Sequence, residues 1–208
     1  FALIDIRLHD KAYITHTSIR PIKGVCGYFE ENGTAAELQE AYYYMGSVYR
    51  DLNDYPNAVT YFLKSAEIAE SDNYIDSSLW ECTYSQLSYL YNQQFNYSSA
   101  LDAAIKGLDI AEKFNTSNER TYINTSTAYF ESGDTTNATT LCNKAINNIL
   151  GNGISKNNAD IVSKAMYHYT ITNQYLHAGL CYELLKSLPK NELPRNYIPN
   201  VAVYLERF

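Results

Sequence analysis

One spacing of two tyrosines and an alanine occurs three times along this 208-residue chain, and a fourth time with threonine for the second tyrosine, and it limits the folds open to it. Tyr49 is followed by Tyr55 and Ala58, Tyr91 by Tyr97 and Ala100, and Tyr169 by Tyr175 and Ala178. Tyr129 and Ala138 hold the same places around Thr135. The alanines stand at 58, 100, 138 and 178, steps of 42, 38 and 40. Self-similarity at a period of about 40 residues marks an array of supersecondary units, each burying its apolar face against its neighbours.

Each unit reads as two helices around a short break. In the first, Leu38, Ala41, Tyr42, Met45, Val48 and Tyr49 follow the 3, 4, 7 spacing of an amphipathic helix. Asp51–Asp54 interrupts it. Pro56 then falls where a first helical turn tolerates a missing N–H, and Ala58, Val59, Phe62, Ala66 and Ala69 carry the second helix. The break recurs at 92–96, 131–134 and 172–174, where Gly133 and Asn173 supply residues that accept positive φ. Strand alternation is nowhere sustained. Residues 1–33 read as a degenerate pair, one helix from Phe1 to Lys11 and one from about Ser18 to Glu31, with Pro21 in its first turn and Gly33 ending it. The expected fold is all-α: about five stacked pairs and a C-terminal helix. Repeats are placed at 38–72, 77–115, 118–151 and 158–190 and a terminal helix at 195–208, within one domain. Asp72–Asp76 and Gly151–Asn157 are read as linkers.

The pattern resembles the tetratricopeptide repeat. Tyr42, Met45-Gly46, Tyr49, Ala58 and Phe62 match it closely; Tyr84, Leu87, Tyr91 and Ala100, then Tyr122, Tyr129, Ala138 and Ala145, match less fully. The fourth unit keeps Tyr169, Ala178 and Tyr182. The resemblance implies a right-handed α-solenoid that binds protein or peptide on the concave side lined by first helices. On the residues carried over, that groove would hold Tyr43, Ser47 and Arg50; Ser85, Tyr89 and Asn92; Ile123, Thr127 and Phe130; and Ser163, Tyr167 and Thr170. Tyr43, Ser47, Ser85 and Tyr89 stand where some members carry the Lys and Asn that clamp a peptide carboxylate, so no such clamp is built. Asp10–Ile14 ahead of Ala41–Leu52 also resembles the extracytoplasmic sensor regions of bacterial membrane-bound regulators. That likeness implies a chain cut from a longer protein and a location outside the cytoplasmic membrane, with a cytoplasmic location left open. A scaffold joining subunits, or a carbohydrate-binding lipoprotein, are the alternatives.

Composition and motifs exclude most chemistry. The net charge of −7 argues against nucleic acid as a direct partner, and no apolar run reaches the ~18 residues of a membrane span. Cys26, Cys82, Cys142 and Cys181 have neither zinc nor redox spacing and read as small buried hydrophobes. His9, His16, His168 and His177 form no metal motif and read as satisfied or exposed side chains. Gly151-Asn-Gly153 reads as a helix stop, and Glu67, Glu70 and Asp72 as solvated carboxylates. No catalytic residue, metal or cofactor is assigned.

If the repeated alanine marks where two helices meet closely, Ala100→Leu overpacks that contact and costs roughly 1–3 kcal/mol. Thermal unfolding reads this directly; an unchanged Tm would refute the register.

Overall fold

The computed structural model describes residues 2–12, 14–71, 76–116 and 118–207. Among the described residues there are eleven α-helices and no strand. They are α1 (Ala2–Lys11), α2 (Arg20–Asn32), α3 (Ala35–Asp51), α4 (Tyr55–Ser71), α5 (Ser77–Gln93), α6 (Tyr97–Lys113), α7 (Glu119–Glu131), α8 (Thr135–Asn152), α9 (Ala159–Ile171), α10 (Tyr175–Lys186) and α11 (Tyr197–Leu205), with one 3₁₀ turn at Lys190–Glu192. Each first helix packs on the helix that follows it, as the repeat requires, so the fold is all-α and built of stacked pairs. The chain divides into two compact units, Phe1–Asn115 and Thr116–Phe208. Each has its own core: Ile22, Val48, Phe62, Leu87 and Leu90 in the first; Ile123, Ile149, Met166, Tyr169 and Leu185 in the second.

The local chemistry explains the helix ends. α3 starts at Ala35, ahead of its first apolar position, because Thr34 and Glu37 close a capping box: the Glu37 N–H donates to Thr34 Oγ1 (3.3 Å) and the Thr34 N–H to Glu37 Oε2 (2.9 Å). Residues 72–75 of the linker expected at 72–76 lie outside the described residues; Asp76 itself caps α5, accepting from the Leu79 N–H at 3.0 Å. α8 runs to Asn152 and stops at Gly153, φ 90°.

The breaks inside the four repeats share one geometry. The residue five before the repeated alanine is left-handed every time: Asn53 (φ 60°), Phe95 (58°), Gly133 (91°) and Asn173 (61°). The next residue caps the second helix in three of them. Asp54, Asn96 and Asp134 accept from the N–H groups of Asn57, Ser99 and Asn137. Gln174, a methylene longer, instead donates to Thr139 Oγ1 at 2.9 Å.

The alanines are the contact they were read to be, at most 2% exposed at 58, 100, 138 and 178. Facing positions share the space left over. Gly46 lies so close to the Phe62 ring that a Cβ there would meet it at 2.9 Å. In the same two register positions the later repeats carry Ser88 and Ala104, Ser126 and Cys142, Met166 and Tyr182. A second device links the helices near their other ends. Lys64, Lys106 and Lys144 stand over the rings of Tyr42, Tyr84 and Tyr122 at 5.2, 5.4 and 5.3 Å from the centroids. The Tyr42 and Tyr84 hydroxyls donate to Glu30 (2.9 Å) and Glu70 (2.5 Å) on the preceding second helix. In the fourth repeat both partners change together, to Val162 and Leu184.

Glu70 is exposed, as expected, and one of its oxygens also accepts from the Tyr84 hydroxyl. The reading of the cysteines needs correction. Cys26, Cys142 and Cys181 are buried but Cys82, on α5, is exposed. Its thiol is nonetheless pushed up to about 11 by surrounding protein and by the carboxylates of Glu81, Asp76 and Asp10, which leaves it a poor nucleophile.

Two glycine substitutions separate packing from helix propensity. Gly27 in α2 has open space where a Cβ would go, so Gly27→Ala gains up to ~1 kcal/mol in urea unfolding. Gly46→Ala makes the same propensity gain but drives into the buried Phe62 ring, and a net loss of ~1 kcal/mol or more is expected.

Candidate functional site

In the first unit α3 lies between α1 and α5. That arrangement settles the fate of two expected groove residues. Tyr43 (6% exposed) and Ser47 (0%) are enclosed, Tyr43 with its ring edge-on to Tyr44 and Phe62. Neither is on an open surface, because the first helices stack closely enough to cover this face of α3.

Arg50 is half-buried and fully engaged within the protein. Its Nη2 donates to Asp51 Oδ1 (2.8 Å) and Asp10 Oδ1 (3.1 Å), its Nε to Asp51 Oδ1 (3.1 Å) and its Nη1 to Gln86 Oε1 (2.9 Å). One guanidinium thus joins α1, α3 and α5, using the planar fork that Lys lacks. Asp51 takes a second load: His16 donates its backbone N–H to Oδ2 at 3.0 Å and sets Nδ1 2.7 Å from the same oxygen. Burial alone would raise the Asp51 carboxyl; His16 and Arg50 overcome that and hold it below the usual carboxylate range. His16 is therefore a satisfied histidine, as read from the sequence. Arg50 is a clamp within the protein rather than a free anchor. Arg7 and Glu40 form a further ion pair between α1 and α3.

What stays open in this unit is one face of α5. Tyr89 is 50% exposed, flanked four residues earlier and three later by the half-buried Ser85 and Asn92. These three expected residues do share a stripe.

The second unit gathers its expected residues around one that the sequence reading passed over. Phe130 of α7 stacks on His168 of α9, centroids 4.8 Å apart and planes at 14°. The Tyr167 ring lies 6.2 Å from the same imidazole. Thr127 is half-buried and donates its hydroxyl to Ile123 O at 2.8 Å. Of the wider set, Ile123, Ser163 and Thr170 are buried. Ser163 is covered by α11, whose Asn200 Nδ2 donates to its carbonyl and hydroxyl oxygens at 2.9 and 3.0 Å. At the opposite end of the same two helices Arg120 reaches across to Asp160 with two bonds of 2.8 and 2.9 Å. Burial pushes the nearby Lys164 ammonium down, with Asp160 partly restoring it.

His168 corrects the expectation of a satisfied or exposed histidine. It is 7% exposed and its Nδ1 has no partner. Burial first, and the Lys164 charge second, push the imidazole down to about 4, so the ring is neutral at pH 7. The register carried the signal: the same position holds Val48, Leu90 and Ala128 in the other repeats. Among the described residues no group of three His, Cys, Asp or Glu side chains could hold a metal ion.

The fold has known counterparts. The sequence matches the tetratricopeptide repeat over residues 37–113. Residues 37–113 belong to the tetratricopeptide-repeat family. Among solved structures, BtubC (BKLC) from P. vanneervenii is similar over 90% of this chain and 82% of its own, with a TM-score of 0.71 and 15% identity. A kinesin light chain from Podosopora anserina with nearly identical TPR-like repeats is similar over 89% of this chain and 92% of its own (TM-score 0.69, 11% identity). The STAND protein PH0952 from Pyrococcus horikoshii, which has a tetratricopeptide repeat sensor, aligns with 99% of this chain (TM-score 0.74, 14% identity); this chain spans 33% of it. At these identities the likeness is one of fold. Comparison with curated proteins gives no match.

Because His168 is neutral in the fold and binds a proton more readily once unfolded, acid destabilises the second unit. The stability it contributes is full above the unfolded value of 6.5 and falls away down to about 4. The loss is up to about 3 kcal/mol. His168→Val, which restores the residue type of the first repeat, should flatten the profile of Tm against pH across this window.

Proposed function

We infer that this chain is a non-enzymatic recognition module that binds a protein or peptide segment on the open face of its first helices. The observation that carries the reading is Tyr89: a large aromatic, half exposed, on a stripe of short uncharged groups, next to a helix held in place by the Arg50 network. Aromatic side chains on a rigid support contribute much of the energy at interfaces and lose little entropy on binding. Non-catalytic use fits the site chemistry. The Cys82 thiol is raised, and the buried imidazole of His168 is lowered, away from the values that general base or nucleophilic catalysis needs at pH 7. The role assigned is recognition within a larger regulator. The STAND protein similar in fold carries such repeats as its sensor, which supports that reading.

Peptides selected by display on the immobilised protein test it. Those that bind the wild type should lose about tenfold or more in affinity for Tyr89→Ala, while the Tm of that variant stays within a degree or two because the ring is half in water. Equal affinity for both proteins removes Tyr89 and the α5 face from the binding surface.

A further inference from the structure

The turn between α5 and α6 departs from its three counterparts at its left-handed position. Its left-handed position is filled by Phe95, φ 58°, where the other repeats use Asn53, Gly133 and Asn173. Asn and Gly adopt this conformation readily; a Phe side chain crowds its own backbone there. The ring gains nothing in return from the fold. It is 78% exposed, and its aromatic neighbour is Tyr97, edge-on at 6.4 Å. A scattered exposed hydrophobe needs no explanation, but this one stands at a position where the same chain three times uses a residue that suits the backbone better.

The charge of this part of the chain points to what the ring meets. Residues 35–115, the repeat that contains this turn and the repeat before it, carry twelve Asp and Glu against four Lys and Arg, a net −8. Residues 1–34 balance four against four, and 116–208 carry eight cations against seven anions, so these two repeats hold all of the chain's net acidity. All four of their cations are already engaged: Arg50 with Asp10 and Asp51, Lys64 over Tyr42 and Tyr61, Lys106 over Tyr84 and Lys113 over Phe114. Three of these four contacts set an ammonium over an aromatic ring. An exposed Phe ring carried on repeats of net −8 offers an incoming cation the same contact.

We propose that the turn carrying Phe95 and Tyr97 is a second docking point, separate from the α5 face, and that its occupant is a basic partner segment bearing Lys or Arg with an aliphatic side chain alongside. The anionic repeats steer the segment in, and Phe95 receives a cationic or aliphatic side chain on its open face.

The probe is a short fluorescein-labelled peptide of alternating Lys and Leu, with the matching Glu and Leu peptide as control, read by fluorescence anisotropy. The wild type should bind the basic peptide at least tenfold more tightly than the acidic one. Backbone amide shifts should concentrate at residues 92–98. Phe95→Asn should weaken binding about tenfold and, at the same time, raise the Tm, because Asn suits the left-handed backbone. These opposite signs distinguish a retained anchor from a residue that serves the fold. Equal binding of the two peptides, undiminished binding by Phe95→Asn, or a wild-type dimer in sedimentation that Phe95→Asn dissolves would each overturn the proposal, the last by making the turn a contact between copies.

Discussion

The close approach of two helices within each repeat is the constraint from which the remainder follows. It exists because one position on the second helix is always alanine, buried in all four repeats. A larger residue there pushes the pair apart and misaligns everything stacked on it. The neighbouring positions are not fixed: glycine faces phenylalanine in the first repeat, two small side chains occupy the same places in the second, and Met166 and Tyr182 occupy them in the fourth. Interiors packed to crystal-like density leave little room for any other arrangement.

Stacking between repeats is held by polar devices as well as by apolar contact. The Lys–Tyr–Glu arrangement spans three helices, since the Tyr ring takes a cation on its face and its hydroxyl reaches a carboxylate one repeat earlier. The Arg50 guanidinium does the same across three first helices. Both place charged groups at helix junctions where each has its partners, so desolvation is offset rather than left standing. Rigid first helices are what a recognition surface on α5 requires, because a partner then pays no ordering cost on that side.

The fold was legible because its signal is repeated. Three copies of Tyr, Tyr and Ala and one of Tyr, Thr and Ala at near-constant steps, with Pro56 and Gly133 at the breaks, define helix pairs without reference to any one weak segment. The candidate surface was legible only in part. Ser85, Tyr89 and Asn92 fall on one stripe by helical spacing, and they do. Tyr43 and Ser47 fit the same spacing yet are buried, because how closely α1 and α5 flank α3 is a property of tertiary packing that periodicity in one helix does not contain. Arg50 looked like a free cation because its partners, Asp10 and Gln86, lie 40 and 36 residues away in sequence. His168 and Phe95 were within reach. Each breaks a register that the other three repeats keep, His among Val, Leu and Ala, and Phe among Asn, Gly and Asn, and aligning the repeats against one another exposes both.

The shared volume between facing helices also bears on how such a chain can change by recombination. An exchange that joined the first helix of the second repeat to the second helix of the first would set Ser88 against Phe62, where even a glycine leaves no spare room. The reciprocal product would set Gly46 against Ala104 and leave a hole. Breakpoints in the turns would therefore upset the packing in both products, although the turns look like the natural seams. Breakpoints between repeats keep each pair intact, so the heritable module of this protein is the pair and not the helix.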